Sequence, residues 1–237
     1  MLKAFKYRIY PNKEQQELLA KTFGSCRFVY NYYLDEKINT YQTEQRSINY
    51  VECANDLKKL KTELQWLKEV DSIALQQSLR DLDKAYQNFF QGYGFPKFKS
   101  KHDHFHSYRT QLVNDNIKVE IKRIKLPKLG WVKYKNSRDV EGKIQNVTVS
   151  KTNTDKYYIS VCCEVSIKPM DKVTPRVGID VGITTFCAMS TGEKIDNPKH
   201  LKNSEKLLKR AQRQLSSKEK NSKNYKKAKL RVAKIHE

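Results

Sequence analysis

Pro175-Arg176-Val177-Gly178-Ile179-Asp180-Val181-Gly182-Ile183-Thr184-Thr185-Phe186 sets one acid inside an apolar run. Val177 and Ile179 alternate with Gly178 ahead of Asp180, which predicts a buried strand carrying a single carboxylate to a turn. Gly182 then permits a tight turn or the close approach of another backbone or a ligand, and a second apolar strand follows at once. Burying an unpaired charge is costly, so an acid in this setting reads as a metal-binding carboxylate. The plainer alternative is a surface hairpin with Asp180 at its turn.

The charge around this segment is uneven. The 237 residues carry a net charge of +21. Residues 91–138 hold 12 Lys and Arg against 3 Asp and Glu, and residues 199–237 hold 14 against 3. Nearly the whole excess therefore lies in two blocks, the footprint of a polyanion binder rather than of a generally basic surface. Nucleic acid is the expected partner. No apolar run approaches the roughly 20 residues a membrane span needs, and the N-terminus lacks the apolar stretch of a signal peptide. The five cysteines, Cys26, Cys53, Cys162, Cys163 and Cys187, form no C-x-x-C pair. They read as reduced core residues of a cytoplasmic protein, with no zinc site. His102, His104 and His106 alternate, which suits one polar strand face better than a metal site.

Upstream, Phe5, Tyr7 and Ile9 alternate with Lys6 and Arg8, predicting a strand that ends at Pro11-Asn12. Asn12 with Gln15 forms a candidate capping box for a helix bearing Leu19, Phe23, Cys26, Tyr30 and Tyr33. A second helix is expected to bury Val51, Ala54, Leu57, Leu60 and Leu64. A third, capped by Asp71, is expected to bury Leu75, Leu79, Leu82, Tyr86 and Phe89 before Gly92 and Gly94. Strands are then expected over 117–125, 131–135, 144–151 and 157–165. A lone N-terminal strand needs partners, so the pattern implies a β-domain over 1–11 and 93–168 interrupted by helices over 12–92. A linker over 168–175 leads to a final domain, 175–237, with the Asp180 hairpin, a turn at Thr191-Gly192, and one long basic helix after Asn197-Pro198.

Three motifs in this order carry a family resemblance. Phe5-Lys6-Tyr7-Arg8-Ile9-Tyr10-Pro11-Asn12-Lys13-Glu14-Gln15, together with Cys26-Arg27-Phe28-Val29-Tyr30-Asn31, resembles the opening of TnpB proteins. These are transposon-encoded RNA-guided nucleases of the OrfB family, related to type V CRISPR effectors. Gly94-Phe95-Pro96-Lys97-Phe98-Lys99-Ser100-Lys101 resembles the family's G-x-P-x-F-K-S-K element, and Val177–Gly182 resembles its first RuvC motif, G-I-D-x-G. The resemblance implies an α+β chain. A β-barrel-like wedge domain holds an inserted helical bundle, and the N-terminal part of a RuvC, ribonuclease-H-like α/β domain follows with a long basic helix. It implies a guide RNA from the transposon end and target DNA as partners. The phosphate contacts would then be Lys6, Arg8, Lys97, Lys99, Lys101, Lys122, Arg123, Lys125, Lys209, Arg210, Arg213, Lys226 and Lys227. Phe5, Tyr7, Tyr93, Phe95 and Phe98 would stack on bases.

The resemblance also implies Mg²⁺ held by Asp, Glu and Asp from separate segments, of which Asp180 is the first. The family's Glu motif, zinc-binding cysteines and final Asp have no counterpart in these residues. The expectation is therefore a C-terminally truncated member that binds no metal stably, cuts nothing alone, and has a second polypeptide with the missing half as a candidate partner. Such a domain is expected to expose apolar surface and an open sheet edge. Two other functions fit less well. A nuclease-dead, RNA-guided DNA-binding regulator needs no further carboxylates. An actin or sugar-kinase-like ATPase would explain Asp180-x-Gly182-x-Thr184, but it needs a second D-x-G motif and a Gly-rich adenosine site, and the chain has eight glycines in all.

Overall fold

The computed structural model of the chain describes residues 1–103, 106–166, 169, 174 and 176–237. It forms two compact units, Met1–Ile167 and Lys168–Glu237. Of the expected linker only Pro169 and Thr174 are among the described residues.

In the first unit, strand β1 (Leu2–Tyr10) precedes three helices, α1 (Lys13–Glu44), α2 (Tyr50–Glu63) and α3 (Ser72–Phe90), with a 3-10 turn at Gln65–Lys68. Six strands follow: β2 (His106–Gln111), β3 (Lys118–Val119), β4 (Arg123–Leu126), β5 (Gly130–Tyr134), β6 (Lys143–Lys151) and β7 (Tyr157–Glu164). They form one sheet in the order β2-β6-β7-β1-β5-β4-β3, with every pairing antiparallel. The first strand finds its partners beyond the helices. β1 pairs with β7 from Leu2↔Glu164 to Ile9↔Tyr157, and its last two residues pair with β5.

Local hydrogen-bond chemistry sets the helix starts. Asn12 Oδ1 accepts from Gln15 N at 2.8 Å, and Asn12 N donates back to Gln15 Oε1 at 3.1 Å. Gln15 Nε2 also donates to the carbonyls of Leu129 and Trp131, which ties the start of α1 to β5. Asn49 and Glu52 repeat the capping box on α2. Asp71 caps α3 through Ile73 N, and its second oxygen accepts from the Thr110 hydroxyl of β2 at 2.5 Å. The α1 stripe Leu19, Phe23, Cys26, Tyr30 and Tyr33 is buried as expected, and so are Leu75, Leu79 and Leu82 of α3. These residues share one continuous core with Ile9, Val132, Val147 and Ile159 of the sheet, so helices and sheet are a single body.

Several expectations are corrected. In α2 it is Cys53, with Leu57 and Leu60, that enters the core, while Val51 is 61% exposed. The i, i+4, i+7 spacing of Cys53, Leu57 and Leu60 is the better helical stripe. Tyr86 is half-buried and Phe89 exposed, because the last turns of α3 run past the core. The strand expected over 117–125 is two short strands, β3 and β4, with Glu120–Lys122 between them. β2 begins at His106 and His102 lies in a turn, so those two do not share a strand face; His104 lies outside the described residues.

The second unit holds β8 (Ile179–Asp180), β9 (Thr185–Met189) and β10 (Lys194–Asp196), ordered β10-β9-β8, then α4 (His200–Ser216) and α5 (Lys223–His236). The single long helix is in fact two. Ser216 and Ser217 hydroxyls donate to the Arg213 and Gln214 carbonyls, Asn221 is left-handed at φ 69°, and Ser222 caps α5 by accepting from Tyr225 N. Ser and Asn offer the backbone these local alternatives, and they end one helix and start the next. α4 and α5 fold against each other, and Ala211 is buried. The strand leading to Asp180 is not buried: Ile179 is 58% and Val181 68% exposed.

Candidate nucleic-acid interface

One face of the large sheet is core and the other is cationic. On β1 the buried side carries Phe5, Tyr7 and Ile9, so the alternate residues Lys6, Arg8 and Tyr10 point away from the core. The register sets their neighbours. Lys6 stands opposite Ser160, Ser160 opposite Thr148, and Thr148 opposite Arg109. In the next row Arg8 stands opposite Tyr158, and Tyr158 opposite Ser150. At the other end Tyr10 faces Lys133 and Lys133 faces Arg123.

Aromatic rings hold these cations in place. Lys6 Nζ lies 4.9 Å from the Tyr158 ring centre. The Arg8 guanidinium lies 5.5 Å from Tyr10 and 5.9 Å from Tyr158. Arg123 stacks at 4.6 Å over Trp131 while its Nε donates to Glu120 at 2.6 Å. Such stacking orients a charge without neutralising it, leaving Lys6 and Arg8 free for an anion. Sequence alone does not single out Tyr10, Trp131, Lys133 and Tyr158. Alternation marks their strands, but only the register brings them together.

Two of the expected stacking residues are corrected. Tyr7 is 2% exposed, its hydroxyl donates to the Arg138 carbonyl at 2.9 Å, and its ring meets Tyr134 edge-on. Phe5 is equally buried. Neither ring can take a base. Burial also raises the Tyr7 pKa above the usual phenol range, with the Tyr134 ring adding to the effect.

A second patch follows α3. Phe90, Tyr93 and Phe98 are open to solvent, and Phe95 sets its ring edge-on to both Tyr86 and Phe89. Lys97 and Lys101 are exposed beside them. Lys99 is different. Asn31 pins its backbone twice, at 2.8 and 2.9 Å, and its ammonium lies 3.9 Å from the Tyr30 ring centre. The residue as a whole is exposed, yet its ammonium head is desolvated, and this lowers the Lys99 pKa against the pull of Asp81 and Cys26. Lys122 and Lys125 are exposed on the β4 side of the sheet.

In the second unit Arg210, Arg213, Lys226 and Lys227 are exposed on the helix pair, and Lys209 is paired with Glu205 at 2.7 Å. Asp180 ends the two-residue edge strand β8 and is itself exposed. Among the described residues no three His, Cys, Asp or Glu side chains gather closely enough to hold a metal ion. One exposed carboxylate falls short of the oxygen set Mg²⁺ needs. No helix among the described residues is long and apolar enough to cross a membrane.

Comparison with known proteins places the chain. The helix-turn-helix domain of the OrfB family matches residues 1–46, and that family's probable transposase domain matches residues 160–237. A putative RNA-guided DNA endonuclease of Escherichia coli K12, InsQ, is 38% identical across 99% of the chain. The chain belongs to the OrfB family. A putative RNA-guided DNA endonuclease of Streptomyces pristinaespiralis is likewise 38% identical across 99% of it. The chain spans 59% of the length of each of these relatives. A solved CRISPR-Cas12f ternary complex aligns over 93% of this chain and 56% of that one, at 13% identity and a TM-score of 0.41, too loosely to carry an argument.

The OrfB assignment and the structure differ in one respect. Residues 1–46, matched by a domain described as helix-turn-helix, contain a strand and one 32-residue helix rather than two helices about a turn. The β1 strand of this segment carries the outward-facing Lys6 and Arg8.

Proposed function

We propose that this chain is the nucleic-acid-gripping part of a TnpB-type, RNA-guided DNA endonuclease, with guide RNA and target DNA as its partners. The observation that carries the reading is the outer sheet face, where Lys6 and Arg8 stand over Tyr158, and Tyr10 faces Lys133, itself opposite Arg123. A flat surface of oriented cations and ring faces suits a phosphate backbone with splayed bases. In this reading residues 1–11 and 93–168 make a barrel-like wedge domain and 12–92 its helical recognition insertion. Residues 175–237 form the N-terminal part of a RuvC-like domain that contributes Asp180 to metal-dependent cutting. Lys97, Lys99, Lys101, Lys122, Arg123, Lys125, Lys209, Arg210, Arg213, Lys226 and Lys227 are further phosphate contacts, and Tyr93, Phe95 and Phe98 further stacking surfaces. The five free cysteines accord with a cytoplasmic protein.

Fluorescence anisotropy with a single-stranded RNA across a salt series tests the reading. Log affinity falls linearly with log salt, and Lys6→Gln with Arg8→Gln together lower the slope by about 1.4, at about 0.7 for each phosphate no longer neutralised. A slope near zero, or one the double variant leaves unchanged, would discard the sheet face as the interface. In the same samples, guide-dependent cutting that Asp180→Ala abolishes would mark a nuclease, and guided DNA binding without cutting would mark a regulator.

A further inference from the structure

A cavity of about 280 Å³ opens between α1, α3 and β2 in the first unit. It lies at the β2 edge of the sheet, where Thr148 and Arg109 end the row that starts at Lys6 on β1. Its volume is near the lower end for small-molecule sites, room for one ring system but not for a duplex.

The walls divide by chemistry. Arg27, Lys99 and Arg109 bring three cations to its lining. Two acids also line it, but both are already engaged. Asp81 Oδ1 accepts from Arg109 Nη2 at 2.5 Å, and Asp103 Oδ2 accepts from Ser100 N at 2.7 Å. The surplus is cationic, which favours an anionic group. Phe23 contributes an aromatic wall, with ring centres 5.7 Å from Tyr108 and 6.1 Å from His106. His106 resists protonation because it is partly buried and because Arg27 and Lys151 lie near, so its ring stays neutral at pH 7. The Asp81–Arg109 pair supplies an acceptor beside donors, and every nucleobase edge presents a donor beside an acceptor. The site is also held in shape, because the backbone of Lys99 is bonded from both sides by Asn31.

We infer that this cavity takes one unpaired nucleotide, with its base against Phe23 and the Asp81–Arg109 pair and its phosphate on Lys99 and Arg27. The inference rests on the nucleic-acid reading above and adds a site to it. The sheet face grips a backbone of any sequence, whereas this pocket takes a single base out of the stack. Strand ends, bulges and loops supply such a nucleotide.

The test is isothermal titration of the full chain with AMP, GMP, CMP, UMP, ribose 5-phosphate and inorganic phosphate. The monophosphates bind about tenfold more tightly than ribose 5-phosphate, as expected where a base gains a stacking surface. Lys99→Gln weakens them about tenfold, at the scale of one charge-assisted contact. Arg27→Gln, on the half-buried side of α1, weakens them in the same direction and covers the case in which Lys99→Gln disturbs the fold. Equal binding of ribose 5-phosphate and the monophosphates would reduce the cavity to an anion site and overturn the inference. So would monophosphate binding that both variants leave untouched, or no binding at all. The two readings fail separately. Loss of the RNA salt slope with monophosphate binding intact removes the sheet face, and the reverse removes the pocket.

Discussion

Leu75, Leu82, Val132 and Ile159 of the first unit are fully enclosed, while in the second unit Val177, Ile179, Val181 and Ile183 all remain in solvent. Both regions carry apolar residues in strand or helix spacing. The difference is the number of layers. The sheet of the first unit has α1 and α3 packed against it, and its side chains gain enclosure from both. The β10-β9-β8 sheet has three short strands, and Cys187 is the buried hydrophobic among them. Periodicity identifies a strand, but burial requires a second surface to meet it.

The largest expected effect separates the two regions directly. Leu82→Ala destabilises the first unit by about 2–5 kcal/mol, through reduced burial and the cavity left behind. Ile179→Ala changes stability by no more than about 0.5 kcal/mol, as an exposed position does. Urea unfolding followed by Trp66 and Trp131 fluorescence reads the first, and hydrogen exchange over 176–196 reads the second. Equal losses would mean that β8 is packed in solution, and the contrast would fail.

Two glycines sharpen the contrast at intermediate size. Gly142 has φ +85°, and a Cβ there would stand 2.2 Å from the Glu164 carbonyl oxygen; Gly192 has φ +91° with nothing within 4 Å. Gly142→Ala therefore adds a clash to the backbone strain and costs about 2–3 kcal/mol. Gly192→Ala carries strain alone and costs about 1 kcal/mol. Thermal melts of both variants check the order, and a larger loss at Gly192 would break it.

The smallest effect is one of pH and belongs to the first unit. Burial, with Arg27 and Lys151 nearby, lowers the His106 pKa, so the folded chain resists a proton that the unfolded chain accepts below about 6.5. The stability due to the neutral ring is complete above that pH and is lost as pH falls through the folded value. Melting temperatures at pH 7.5 and 5.5 should differ less in His106→Gln than in the parent chain, and an unchanged difference would show that the ring titrates freely.

Features that depend on a few neighbouring atoms are legible in the sequence. Asn12 with Gln15, and Asp71 ahead of α3, cap their helices because short polar side chains reach the first free N–H groups whatever the tertiary setting. The need of β1 for later partners is legible too. Which partners, and which face they cover, is not. Phe5-Lys6-Tyr7-Arg8 shows two faces, and the choice between Tyr7 as core and Tyr7 as contact rests on Tyr134 and Arg138, far along the chain. The cationic row stays hidden for the same reason, since Tyr158 and Lys133 join Arg8 and Tyr10 only through register. The break between α4 and α5 is written in Ser216-Ser217 and Asn221-Ser222, but a dense run of Lys and Arg obscures it. At Asp180 the apolar pattern predicts burial, whereas in the folded chain it marks surface.

The position of β1 between β7 and β5 has a consequence for the order of events during synthesis. β1 leaves the ribosome ahead of both its partners and has no lasting partner until Gly130–Tyr134 and then Tyr157–Glu164 have followed it. Meanwhile α1, α2 and α3 can form from their own local signals and collect around Leu19, Leu57 and Leu75. The sheet then closes late, on a helical nucleus already in place, and its longest ladder joins residues some 150 positions apart. Until that closure Phe5, Tyr7 and Ile9 form an unpaired apolar strand, the part of the nascent chain most open to mispairing with a neighbour.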